Sequence, residues 1–194
     1  MTQPNQTKAR YAYADPPYLG CCGMYGHRHE GGPWSLWTQM GMEPDAKHNC
    51  WDEPLRHRDL IDYLKREFPD GWALSSSVPA YRKFEREHWI PAEARIGVWY
   101  KSFSSFKPNV NPAYCWEPVV VCGGRQDRDR AEVTVRDVFV SPITLKKGLT
   151  GVKPLQFNQW ILDLLGYQDG DELVDLFPGK GGMAVALAQG RLAV

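Results

Sequence analysis

The feature that most constrains the fold is a strand, a glycine-rich turn and a helix near the carboxyl end of the 194-residue chain. Glu172–Phe177 is predicted to be a short buried strand, Pro178–Gly182 the turn, and the apolar run Met183–Ala188 the helix. Glycines in such a turn let the backbone approach a ligand, and the first turn of the helix offers free N–H groups. Nucleotide-binding α/β proteins use this arrangement, but a purely structural turn has the same pattern. This segment alone leaves both interpretations open.

A second motif, Asp-Pro-Pro-Tyr, occupies positions 15–18 directly after an apolar stretch. Asp15 can accept one hydrogen bond from an exocyclic amino group, and the carbonyl oxygen of Pro16 can accept another. Pro17 removes a competing N–H and stiffens the turn, and Tyr18 can lie flat on the ring that carries the amine. Such a grip suits an enzyme that acts on a nucleobase swung out of its stack. The alternative is an ordinary loop with Asp15 as a solvated cap.

A third segment begins at Lys153 and Pro154 and continues with apolar residues at helical spacing from Leu155 to Leu165. Proline is typical of the first turn of a helix, and Gly166 is typical of its end. Lys153 can pair with a carboxylate on a ligand, or it can be a solvated lysine at the mouth of the helix.

With these three motifs in this order, the chain resembles the S-adenosylmethionine (SAM)-dependent amino-methyltransferases. Asp-Pro-Pro-Tyr matches their catalytic motif, Phe177–Gly181 is similar to their cofactor motif Phe-x-Gly-x-Gly, and Lys153–Pro154 resembles the Lys-Pro pair that opens the helix before it. The catalytic motif comes first and the cofactor motif last, as in the permuted, beta-type DNA methyltransferases. The chain is similar in this respect to small phage DNA methylases. The resemblance covers the chain from Tyr11 to about Ala188.

The resemblance implies transfer of the SAM methyl group to the N6 amine of adenine in DNA. The implied catalytic residues are Asp15, Pro16, Pro17 and Tyr18, and the implied cofactor-binding residues are Lys153, Asp175, Phe177, Gly179 and Gly181. The N4 amine of cytosine and adenine in RNA remain alternative substrates, because the same grip fits either amino group. A non-catalytic protein that keeps the fold and binds nucleic acid or the cofactor is a further alternative.

The resemblance and the alternation of predicted elements indicate one α/β domain over residues 1–194. We expect a Rossmann-like methyltransferase sheet with helices on both faces, truncated after the helix that follows the cofactor loop. The predicted strands are Tyr11–Ala14, Trp72–Ser75, Arg95–Tyr100, Pro118–Cys122 and Glu172–Phe177, and the predicted helices begin after a cap at Asp52 and at Val78, Leu155 and Met183.

The chain also departs from the family pattern at the cofactor motif. Lys180 stands where the family usually has a small residue, and Gly182 and Met183 stand where it often has Ser or Thr. No Asp or Glu follows Gly181, although the next strand of the family normally ends in an acid that binds the cofactor ribose. We therefore expect another group to hold the ribose, a weaker cofactor affinity, or a sheet completed by a second chain. Assembly into a homo-oligomer thus stays open.

Composition narrows the class of protein further. The 23 Lys and Arg balance the 23 Asp and Glu, which counts against tight non-specific DNA binding through a generally basic surface. The amino terminus has no signal-peptide pattern, and no apolar run is long enough to span a membrane. We expect a protein of the bacterial or phage-infected cytoplasm with no membrane partner. The odd number of cysteines, five, favours reduced thiols.

Three segments between the motifs are candidate contact regions. The Cys- and His-containing segment 20–50 raises the question of zinc, but the adjacent Cys21 and Cys22 match no standard ligand spacing, so we expect no metal. Its aromatic residues can stack on bases or form a small satellite core. Asn109 and Asn111 in the loop 102–112 can read base edges or simply form turns. The basic residues that can follow a phosphate backbone, or belong to a solvated loop, are Arg125, Arg128, Arg130, Lys146, Lys147 and Lys153.

Overall fold

The computed structural model describes residues 8–21, 51–103, 110–126, 134–144 and 151–190. Within these ranges the chain forms six strands and four α-helices, and three of the strands follow one another without a helix between them. The strands are β1 (Arg10–Ala14), β2 (Gly71–Ser75), β3 (Arg95–Tyr100), β4 (Trp116–Gly123), β5 (Val138–Val140) and β6 (Glu172–Asp175), and the helices are α1 (Pro54–Glu67), α2 (Val78–Arg86), α3 (Leu155–Leu165) and α4 (Gly182–Gln189). None of these helices is long and apolar enough to cross a membrane.

The strands form a single mixed sheet in the order β5-β3-β4-β2-β1-β6. Strand β1 pairs in parallel with both β2 and β6, and β3 pairs in parallel with β5. Strand β4 is antiparallel to its two neighbours, β2 and β3. The start of β4 therefore lies at the same edge of the sheet as the carboxyl ends of the other strands. This edge carries the candidate site.

Helices cover both faces of the sheet, as predicted. Leu60 of α1 and Phe84 of α2 belong to the apolar core on one face, and Phe157 of α3 and Met183 of α4 belong to the core on the other. Trp72 in β2 joins the first core, while the next residue along the strand joins the second. Successive side chains of a strand point to opposite faces, so a nearly continuous apolar strand can supply both cores.

Local signals set most helix ends. The Ser77 hydroxyl caps α2 by accepting a hydrogen bond from the Ala80 N–H at 3.3 Å. Helix α3 ends at Gly166, whose φ of 65° is left-handed, as predicted. The prediction that Asp52 caps α1 is wrong. The helix begins at Pro54, because proline is favoured at the first position of a helix. The cap position is therefore Glu53, whose side chain makes no capping hydrogen bond.

Candidate active site at the carboxyl edge of the sheet

The ends of β1 and β6 bring the two predicted motifs side by side. The register pairs Tyr13 with Asp175, and the Leu176 N–H donates a hydrogen bond to the Tyr13 carbonyl oxygen at 2.9 Å. Because the strands are parallel, the segments that start at Asp15 and Phe177 leave the sheet at the same edge. The Asp-Pro-Pro-Tyr motif and the glycine loop are therefore neighbours in space.

Lys153 contacts the Asp-Pro-Pro-Tyr motif directly. Its Nζ donates hydrogen bonds to Asp15 Oδ1 at 2.9 Å and to the Tyr18 hydroxyl at 3.0 Å. Its side chain is 9% exposed, so the pair with Asp15 is shielded from water. Burial raises the pKa of the Asp15 carboxyl, and the Lys153 ammonium opposes that rise. The sequence predicts Lys153 as a cofactor contact, and its position in the free protein adds a second role in holding Asp15.

Glu117 completes this cluster. The Tyr18 hydroxyl donates a hydrogen bond to Glu117 Oε2 at 2.8 Å, and Lys153 Nζ lies 3.6 Å from the same oxygen. The other oxygen, Oε1, accepts a hydrogen bond from Lys101 Nζ. Burial raises the pKa of the Tyr18 phenol well above its ordinary value, with Glu117 adding to the rise, so the phenol stays protonated as a donor. Burial also acts to raise the pKa of Glu117, but Lys153 and Lys101 outweigh it and lower that pKa.

The topology of β4 explains why Glu117 lies at this edge. β4 is antiparallel, so its first residues, and not its last, meet the ends of the parallel strands; Glu117 is opposite Trp99 near the end of β3. The sequence reasoning missed Glu117, because the predicted strand began at Pro118. The available signal was an acid at the start of an apolar strand, which has no specificity by itself.

Three aromatic rings lie close to the Lys153 ammonium. Its Nζ lies 5.1 Å from the ring centroid of Tyr18, 5.8 Å from that of Trp99 and 5.9 Å from that of Phe157. The Trp99 and Phe157 rings are themselves packed with centroids 5.2 Å apart. Cation–π attraction therefore adds to the ion pairs in fixing the position of Lys153.

The glycine loop after β6 leaves open space where side chains would otherwise stand. Gly179 and Gly181 have left-handed φ angles of 49° and 76°. Among the described residues, a Cβ added at Gly181 meets no atom within 4 Å, and one added at Gly179 meets only the Phe177 carbonyl oxygen, at 3.8 Å. The backbone of this loop is thus accessible to a ligand, and the loop runs into the amino end of α4. These features fit a bound nucleoside cofactor.

Close packing explains why glycine stands at position 182, where the resembled family often has Ser or Thr. A Cβ at this position would lie 2.7 Å from the side-chain Nδ2 of Asn158 in α3. Asn158 is buried, so it occupies the space that a serine or threonine at position 182 would need. Glycine is therefore required where α3 and the start of α4 approach each other.

Asp175 is the acid nearest to the glycine loop along the chain. Its Oδ1 accepts a hydrogen bond from the Phe177 N–H at 3.1 Å. Burial raises the pKa of Asp175 to about 6; the hydrogen bond from Phe177 opposes this rise, and the charge of Asp15 adds to it. Asp15 and Asp175 therefore share one electrostatic environment.

The other candidate contact regions fall only in part on the described residues. Arg125 donates two hydrogen bonds to the Asp171 carboxylate, at 2.8 and 3.0 Å, so it is held in a structural ion pair. Asn111 is exposed, and Cys21 is half-buried with a free thiol. Within the described ranges no group of His, Cys, Asp and Glu is arranged to hold a metal ion. The predicted contact residues outside the described ranges are Cys22, His27, His29, His48, Cys50, Asn109, Arg128, Arg130, Lys146 and Lys147.

Solved structures with a similar fold provide the comparison with known proteins. M1.HpyAVI in complex with SAM superposes with a TM-score of 0.53 at 13% identity, over 94% of this chain and 78% of that chain. TTHA0409 of Thermus thermophilus, assigned as a DNA modification methylase, superposes with a TM-score of 0.51 at 12% identity, over 95% of this chain and 78% of that chain. The chain shares the α/β fold of these two structures. No protein-family model and no curated protein matches the sequence.

The predicted fold class is confirmed by these superpositions, because the mixed sheet with helices on both faces is shared over nearly the whole chain. At sequence identities of 12–13%, the comparison supports a shared fold but does not assign roles to individual site residues. The assignments of Asp15, Tyr18, Asp175 and the two loop glycines therefore stay predictions, which depend on the geometry of this chain alone.

Proposed function

We propose that this protein transfers the methyl group of SAM to the N6 amine of adenine in DNA. The observation that carries the proposal is the pairing of β1 with β6, in which Tyr13 is opposite Asp175. This register sets the Asp-Pro-Pro-Tyr turn beside the glycine loop, so a methyl donor on one motif and an amine on the other would meet across a short gap. DNA as the substrate is further supported by the fold shared with DNA methylases.

In this proposal the Asp-Pro-Pro-Tyr turn positions the amine. An aromatic amine is a poor nucleophile because its lone pair is delocalised into the ring. Asp15 and the Pro16 carbonyl oxygen accept hydrogen bonds from the two N–H groups of the amine. These bonds favour a pyramidal nitrogen whose lone pair points at the methyl group. Pro16 and Pro17 are buried, so the turn is stiff. Catalysis then depends on positioning and charge placement more than on a strong base.

The glycine loop is the proposed cofactor site. Asp175, Phe177, Gly179 and Gly181 would hold the cofactor, because the loop backbone is accessible and Asp175 supplies an anionic group at its start. The bound cofactor supplies an electrophilic methyl group on a positively charged sulfur. Lys153 can contribute to cofactor binding only in competition with its bonds to Asp15 and Tyr18.

Removing the ring of Tyr18 should weaken substrate binding. We expect Tyr18→Ala to lose the stacking contact with the target base, worth about 1–3 kcal/mol. Tyr18→Phe and Tyr18→Trp keep a ring and should lose less, although Phe leaves Glu117 without the hydroxyl that now donates to it. KM for DNA in a steady-state methylation assay measures the difference. Equal KM values for the three variants would exclude the stacking role.

Cofactor affinity should rise as the pH rises through about 6. The pKa of Asp175 is raised to about 6 in the folded protein, so this carboxyl becomes fully ionised only above that pH. If the ionised form binds the cationic cofactor, SAM should bind about tenfold more weakly at pH 5 than at pH 7.5. Calorimetric titration of SAM over this range measures the effect. Asp175→Asn is the matched control, and its affinity should be low and independent of pH over the same range.

A second function remains to be tested against the first. Asp15 already accepts a hydrogen bond from the ammonium group of Lys153. This contact favours a protein that binds nucleic acid or the cofactor without turnover. Such a protein would bind DNA and incorporate no methyl group.

The decisive experiment is mass spectrometry of nucleosides from DNA that has been incubated with the protein and isotopically labelled SAM. Labelled N6-methyladenine is the expected product. Labelled N4-methylcytosine would keep the reaction and change the base, and label in a parallel RNA sample alone would change the nucleic acid. If DNA and RNA both remain unlabelled while DNA still binds the protein, the non-catalytic function replaces the proposed one.

A further inference from the structure

Among the described residues, four charged side chains meet around Tyr18, and their charges balance. The carboxylates of Asp15 and Glu117 are paired with the ammonium groups of Lys153 and Lys101. The side chains of Lys101, Glu117 and Lys153 are 15%, 16% and 9% exposed. Charges removed from water to this extent are costly unless they are neutralised by close partners. Each carboxylate of the cluster is thus neutralised by a close ammonium group.

Glu117 is the acid that links the two lysines, because its carboxylate is paired with both of them. Loss of its charge would leave Asp15 as the single carboxylate of this cluster beside two ammonium groups. The cluster would then carry one excess positive charge, at the edge of the sheet where Asp15 and Asp175 influence each other electrostatically. Loss of the ammonium group of Lys101, which donates to Glu117, would instead leave the cluster with one excess negative charge.

We propose that Glu117 is a positioning and charge-balancing residue. The carboxylate of Glu117 holds Tyr18 and Lys153 in place, and its negative charge lets a cationic sulfonium cofactor approach Asp15. This inference rests on the proposed methyl transfer from SAM. The sulfur of SAM is a positively charged sulfonium, and the sulfur of S-adenosylhomocysteine (SAH), the product, is a neutral thioether. A site with one excess positive charge therefore disfavours SAM relative to SAH, whereas a neutral site does not.

The expected size of the effect follows from Coulomb's law. For two unit charges that we take to be about 10 Å apart, at an effective dielectric constant of about 20, the interaction changes affinity by about one order of magnitude. SAH is the internal reference, because it has the same adenosine and amino-acid groups. The ratio of the two dissociation constants thus isolates the charge on sulfur from any general damage to the pocket.

The test is calorimetric titration of SAM and of SAH into the unmodified protein and four variants. Glu117→Gln keeps an acceptor for Tyr18 and removes the charge, so Kd(SAM)/Kd(SAH) should increase about tenfold. Lys101→Met leaves two carboxylates with one ammonium group in the cluster, so it should decrease that ratio. The double variant Glu117→Gln/Lys101→Met restores the balance, so its ratio should return close to that of the unmodified protein. Glu87→Gln, which removes an exposed carboxylate at the end of α2, is the matched control and should not change the ratio.

Each outcome decides the inference. A Glu117→Gln variant that loses SAM and SAH affinity equally would assign Glu117 a purely structural role and overturn it. If Glu117→Gln does not fold, Lys101→Met decides, because it changes the charge of the cluster in the opposite direction. A ratio Kd(SAM)/Kd(SAH) that does not decrease in Lys101→Met then overturns the inference. If the unmodified protein binds neither compound, the proposed methyl transfer itself fails. Binding by the unmodified protein with a ratio that no variant changes rejects only the role of Glu117.

Discussion

Replacing Asp15 by alanine should abolish methyl transfer while leaving the fold intact. Asp15 is proposed to accept a hydrogen bond from the target amine, and removal of one such positioned group typically costs about 100- to 1,000-fold in rate. The fold should survive because Lys153, the partner of Asp15, still donates to the Tyr18 hydroxyl and lies 3.6 Å from Glu117. The measurement is the yield of labelled nucleoside per unit time, with circular dichroism melting as the check on folding.

Asp15→Asn separates geometry from charge in the same assay. Asparagine keeps a carbonyl oxygen for the amine but removes the negative charge that pairs with Lys153. We expect its activity to lie between that of Asp15→Ala and that of the unmodified protein. An Asp15→Ala variant with undiminished transfer would refute the proposed chemistry, and the catalytic role would then have to lie outside the Asp-Pro-Pro-Tyr turn.

The elements with strong local signals were predictable from the sequence. Strand β3 has the predicted bounds Arg95–Tyr100, and α3 ends at the predicted Gly166. Strand β5 was not predicted, because three residues, Val138–Val140, show too little periodicity to stand out. The start of β4 at Trp116 was also missed, because the half-buried Trp116 and Glu117 interrupt the apolar pattern on which the prediction depended.

The composition of the site was predictable only where one motif carries it. Asp15 and Tyr18 lie in a contiguous motif, and the glycine loop follows its strand directly. Glu117 reaches the site because β4 is antiparallel to its neighbours, and Lys101 reaches it because it follows the carboxyl end of β3. Strand direction and strand order are tertiary properties that no local pattern encodes. Arg125 shows the converse case. Its neighbours in the sequence suggest a phosphate contact, while the fold pairs it with Asp171, 46 residues away.

Loss of that pair should be the most destabilising single change outside the apolar cores. The Asp171 carboxylate is 4% exposed and accepts hydrogen bonds from Arg125, from the Ala9 N–H at 3.0 Å and from the Gln168 N–H at 2.9 Å. Asp171→Ala leaves these donors without their acceptor, and breaking a buried pair in this way costs about 3–5 kcal/mol. Urea denaturation measures the loss in the free energy of unfolding. The corresponding decrease in Tm is about 10 °C for a chain of this size.

The adjacent residue provides the matched control. Glu172 also forms an ion pair, with Arg10 at 3.3 Å, but both side chains are nearly half exposed. Glu172→Ala should therefore cost less than about 1 kcal/mol. Equal costs for the two variants would mean that Asp171 is no more than a surface charge.

The stabilising effect of Asp171 should also depend on pH in a defined direction. Burial acts to raise the pKa of this carboxyl, but its hydrogen bonds and Arg125 outweigh burial and lower the pKa below its ordinary value of 3.8. Its contribution to stability is then fully present above about pH 4 and is lost as the pH falls through the lower, folded-state pKa. Asp171 lies just before β6 and accepts a hydrogen bond from the N–H of Ala9, which lies just before β1. This contact is next to Arg10 and Glu172, the first pair in the register of the two strands. The same register places Asp15 beside the glycine loop at the other end of the strands, so Asp171→Ala should reduce methyl transfer as well as stability.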